Sequence, residues 1–121
     1  MFVIQVHALA PPEIERIDLC LAAATESVAT ALACPPAQVW AQYVPVSAMH
    51  MGTRPRRFNG HCPVVILRGP TKWPDAQIRA AITSLATSVG AALDLSVDEV
   101  WVQWVGVQPG QLFCAGRILN E

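Results

Sequence analysis

Two short runs of β-branched residues, FVIQVHA at Phe2–Ala8 and PVVILRG at Pro63–Gly69, are bounded by breakers and read as strands. After the first, Ile14, Ile17, Leu21, Ala24, Val28 and Leu32 recur at i, i+3 and i+4. That spacing puts one apolar stripe on a helix over Pro12–Ala33. Cys34-Pro35-Pro36 stops it, because proline has no amide hydrogen to donate. After the second run, Ile78, Ile82, Leu85, Val89 and Leu93 predict a helix over Pro74–Leu93, with Pro74 suited to the first helical position. A strand follows each helix, VWAQYVPV (Val39–Val46) and VWVQWVGV (Val100–Val107). The segment Leu112–Ile118 reads as a further edge strand.

The two halves are copies. A shift of 61 residues lays the chain on itself without a gap: Val3 meets Val64, Ile17 meets Ile78, and Ala31-Leu32 meet Ala92-Leu93. Val39, Trp40, Gln42, Val44 and Val46 all find identical partners 61 residues on. A unit of that length is one supersecondary motif used twice, not a solenoid repeat. Crossover helices return each second strand parallel to its first. The expected fold is α+β: one domain of two β-α-β repeats, about 1–61 and 62–121. Two helices then lie on one face of a mixed four-stranded sheet.

With two helices on one face, the other face should alternate polar residues into water. The last long strand does not. Val100, Val102 and Trp104 point one way, and Trp101, Val105 and Val107 the other, with Gln103 the polar exception. Charged residues make up only 14% of the chain against 53% hydrophobic, so little charge is left to solvate a second greasy face. Copies of the same chain are expected to cover it in a closed ring. The same composition excludes a disordered chain. No run of about 20 apolar residues is present, so no membrane span is expected. The start of the chain lacks the basic region of a signal peptide. Four cysteines without a C-x-x-C pair read as reduced thiols and a cytoplasmic setting.

The tandem 61-residue β-α-β pair, FVIQVHA with its Gln5 and His7, and Ser96-x-x-Glu99-Val100-Trp101-Val102 together resemble the tautomerase superfamily. Its simplest member is 4-oxalocrotonate tautomerase, and its fused members include macrophage migration inhibitory factor. The resemblance covers nearly the whole chain. It implies a homotrimer with sites at subunit edges, acting on a small carboxylate without cofactor or metal. It also implies an N-terminal proline as catalytic base. Here Phe2 stands at that position and has no ring nitrogen. Pro63, its repeat partner, is internal and acylated.

Charge is uneven along the chain. Between Glu26 and Asp75 there is no acid, while Arg54, Arg56, Arg57, Arg68 and Lys72 fall in that stretch. A guanidinium matches a carboxylate with a two-pronged fork of donors. Arg54, Arg56, Arg57 and Arg68 are therefore candidate anchors for a small carboxylate, with Tyr43 as a hydrogen-bond donor. The alternative for the triplet is a solvated linker. Three arginines on a chain of net charge −1 make no nucleic-acid surface. The candidate acid–base groups are His61 and the Met1 amine, beside Phe2 at the inherited catalytic position. Met49-His50-Met51 with His61 and Cys62 offers soft ligands for copper, but spacing alone brings no convergence. The order β-α-β-β-α-β also fits a ferredoxin-like domain; the repeat and the long segment Ser47–His61 argue against it.

Overall fold

The computed structural model describes residues 1–9, 13–55 and 62–120. Strand β1 (Phe2–Leu9) leads into helix α1 (Ile14–Leu32), then β2 (Val39–Val46). Two short strands, β3 (His50–Met51) and β4 (Arg54–Pro55), separate the halves. The second half repeats the pattern with β5 (Val64–Pro70), α2 (Asp75–Ala92) and β6 (Trp101–Val107). The order across the sheet is β2-β1-β5-β6. β1 runs parallel to β2 and β5 parallel to β6, while β1 and β5 meet antiparallel, so the sheet is mixed. Both helices lie on one face, as the periodicity predicts.

The core forms where even-numbered residues of β1 and odd-numbered residues of β5 meet the helices. Ile4, Val6, Val65 and Leu67 are buried against Cys20, Ala24, Val28 and Leu32 of α1 and Ala81, Leu85 and Val89 of α2. The buried stripe of α1 starts later than the sequence suggests. Ile14 is 69% exposed, and Cys20 rather than Ile17 begins the packed face. The helix ends in a left-handed residue, Ala33, at φ 55° and ψ 46°, whose N–H reaches Thr30 O and Ala29 O. That cap lets the chain turn into the prolines and back along the sheet.

The reading of Leu112–Ile118 as one edge strand is corrected. Strands β7 (Leu112–Cys114) and β8 (Arg117–Leu119) pair only with each other and stand apart from the four-stranded sheet. Between them, Ala115 and Gly116 both have positive φ, 53° and 78°, the backbone of a two-residue hairpin turn. The stretch from Ser47 likewise holds a small hairpin, β3 with β4, around Gly52 at φ 62°.

Candidate functional site

The face of the sheet away from the helices is open. Register fixes three rows across β2, β1, β5 and β6: Trp40–Val3–Arg68–Val105, Gln42–Gln5–Ile66–Gln103 and Val44–His7–Val64–Trp101. The repeat relates the first row to the third, so Arg68 and His7 hold equivalent places, as do Trp40 and Trp101. A polar chain crosses this apolar ground. Arg68 Nη1 donates to Gln5 Oε1, and Gln5 Nε2 donates to Gln42 Oε1 at 2.6 Å. No carboxylate belongs to these rows. Among the described residues the one ion pair is Arg16 with Asp94, so Arg68 meets no counter-charge there.

The start of β1 is closed rather than open. Phe2 is 1% exposed and packs edge-on to Trp73, ring centroids 5.1 Å apart, with Trp104 tilted at 6.4 Å. Gly69 makes room for it. A Cβ there would sit 2.5 Å from Phe2 Cδ1 and 2.5 Å from Trp104 Cη2, closer than atoms can approach. Beside Met1, which is half-buried, a recess of about 20 Å³ is bounded by Pro70, Val107 and Leu112. The Phe2 ring is therefore part of the core at the start of β1.

The repeat-related end, at the start of β5, holds the larger opening. A cavity of about 270 Å³ lies over Pro63 and Val64. Its other walls come from the β3 region (Met49, Met51), Cys62, the turn before β6 (Asp98, Glu99) and Trp101. Cys62 enters it at φ 47°, a conformation that costs a residue with a Cβ.

Of the four arginines read from the sequence as anchors, Arg54 and Arg68 fall among the described residues. Arg54 is exposed on β4, and Arg68 lies on the open face of β5. Arg56, Arg57 and His61 lie outside the described residues. Tyr43 turns to the helix side, and its hydroxyl donates to Leu9 O at 3.0 Å. Burial and, secondarily, the nearby Cys20 push its pKa up to about 12, so it stays a neutral donor already engaged with backbone. Among the described residues no group of three or more His, Cys, Asp or Glu could hold a metal ion. The sequence reading passed over Gln42, Asp98 and Glu99. Gln42 could have been found, since it aligns with Gln103 in the repeat; the two acids converge on Pro63 only through the β5–β6 register.

No family model matches the chain, and no curated protein matches it significantly. Solved structures do match. Native fused 4-OT superposes with a TM-score of 0.87 at 18% identity, covering 96% of this chain and 94% of its own. The chain has the tautomerase fold. The R7 fused 4-OT, a wild-type asymmetric trimer, gives the same TM-score, identity and coverage. Pt0534 inactivated by 2-oxo-3-pentynoate follows at 0.84 and 16% identity, covering 98% of this chain and 95% of its own. No helix of the described residues is long and apolar enough to cross a membrane.

Proposed function

We propose that this chain is a homotrimeric, cytoplasmic tautomerase-superfamily protein, one domain of two repeats, that binds a small carboxylate and assists proton transfer on it. The observation that carries the carboxylate is Arg68. Its guanidinium stands on an apolar face whose rows contain no acid. Covering that face with sister copies would bury the cation, and a buried charge needs a counter-charge. An acidic ligand supplies one. A structural neighbour bearing a 2-oxo acid inactivator and another described as a trimer support the same reading.

Arg54, Arg56 and Arg57 would add donors from the segment between the repeats. The Met1 amine or His61 would move the proton, taking it from the enol oxygen of the bound acid and returning it to the carbon next to the enol carbon, as the C–O bond becomes C=O and the C=C bond becomes single. A second reading is favoured by the burial of Phe2 between Trp73 and Trp104: a relative that binds the acid, or serves as a structural subunit, without turning it over.

Ketonisation of phenylenolpyruvate and of 2-hydroxymuconate separates the two. Wild-type rates above buffer that fall in Arg56→Ala support the enzyme. A wild-type rate equal to buffer, restored in Phe2→Pro with Met1 removed, leaves the binding role.

A further inference from the structure

The C-terminal hairpin turns an apolar side to water. Phe113 and Ile118 are cross-strand partners, 69% and 55% exposed. Leu112 and Leu119 bound the recess beside Met1 and tie the hairpin to its own chain. β7 and β8 pair only with each other, and a two-stranded ribbon left in water is marginal. Arg117, next to the turn, is exposed and is the one charged residue between Gln108 and Asn120.

The cavity over Pro63 has the complementary character. Its walls are mostly apolar, Met49, Met51, Val64 and Trp101 among them, and its charged residues, Asp98 and Glu99, are both acidic. Arg117, Asp98 and Glu99 have no ion-pair partner among the described residues. The two features lie at opposite ends of the sheet. The hairpin sits beside Pro70 and Val107, where β5 and β6 end, and the cavity lies over Pro63 and Trp101, where they begin. The length of β6 separates them by about 20 Å, at about 3.3 Å per residue, so the anchored hairpin does not reach the cavity of its own chain.

We propose that the hairpin of one copy docks in the Pro63 cavity of the next, with Phe113 as its anchor. This rests on the homotrimer reading and gives that assembly a specific contact. Val64 and Trp101 lie on the face that sister copies cover, so the cavity opens where a neighbour arrives. A volume of about 270 Å³ admits a phenyl ring, with Ile118 beside it against thioether walls that adapt to shape. Arg117 donates charge-assisted hydrogen bonds to the next copy's Asp98 or Glu99. A donor at one end of the chain and an acceptor at the other make a heterologous contact, the kind that closes into a ring. Each cavity is then completed by an aromatic residue from another chain.

The test uses the full-length protein. Irradiation of Phe113→p-benzoylphenylalanine is expected to join two chains on a denaturing gel, through Met49 or Met51 of the second. Phe113→Asp should raise the concentration at which the assembly dissociates about tenfold or more, with circular dichroism unchanged. Arg117→Glu should weaken it less, and adding Asp98→Arg and Glu99→Arg to the same chain should restore it by reversing both signs. A wild-type trimer whose dissociation ignores Phe113→Asp, whose cross-links from position 113 fall outside the cavity, or whose reversed charges bring no recovery would overturn the docking and leave the homotrimer standing. Wild-type particles of a single chain would overturn both.

Discussion

Trp40 and Trp101, 61 residues apart in sequence, occupy repeat-related positions on the open face, 61% and 60% exposed. Each lies one strand from a repeat-related valine, Val3 and Val64. Two indoles held this way anchor an apolar surface that a lone chain would leave wet. Trp101→Lys is expected to break the assembly while leaving the fold intact, because the side chain is mostly exposed on the open face. Circular dichroism beside sedimentation checks both halves of that statement.

The contact between Phe2 and Gly69 sets a second expectation. Gly69→Ala drives a methyl into two aromatic rings and should cost about 1–3 kcal/mol, the usual penalty for overpacking. Phe2→Ala removes the ring and should cost about 3–5 kcal/mol. Chemical denaturation measures both. A neutral Gly69→Ala would mean the Phe2 ring sits elsewhere.

Ala33 carries a Cβ in the left-handed region, where glycine pays no steric penalty. Ala33→Gly should stabilise the chain by about 1 kcal/mol, read as a raised melting temperature.

Alkaline pH should weaken the fold. Burial raises the Cys20 thiol from 9.0 to about 11, and raises Tyr43 from 10.0 to about 12. Both groups are neutral below their ordinary values, so stability is full there. As pH rises from 9.0 towards 12, the unfolded chain releases its protons before the native state does, which favours unfolding, so stability falls. Cys20→Ala should flatten the lower part of that decline in pH-dependent denaturation curves. In the native state the Cys20 thiol should also resist alkylation at pH 8.

The repeat made most of the fold legible. A 61-residue identity pattern in Val39–Val46 and Val100–Val107 fixes strand pairs, helix placement and the two-sided strand before any coordinate is known. The C-terminal hairpin was hidden because its turn, Ala115-Gly116, lacks the Asn-Gly or Asp-Gly chemistry that marks such turns. The site was less legible. Arg68 could be picked out by residue type, but its bond to Gln5 depends on antiparallel register between β1 and β5. The Pro63 cavity gathers residues from position 49 to position 101, a convergence that no local spacing encodes.

The central claim is that sister chains hide the tryptophan-bearing face. Light scattering behind a size-exclusion column, at micromolar protein, addresses it directly. Three chains of 13.0 kDa give about 39 kDa, and that mass is expected. A stable particle of 13.0 kDa would contradict it.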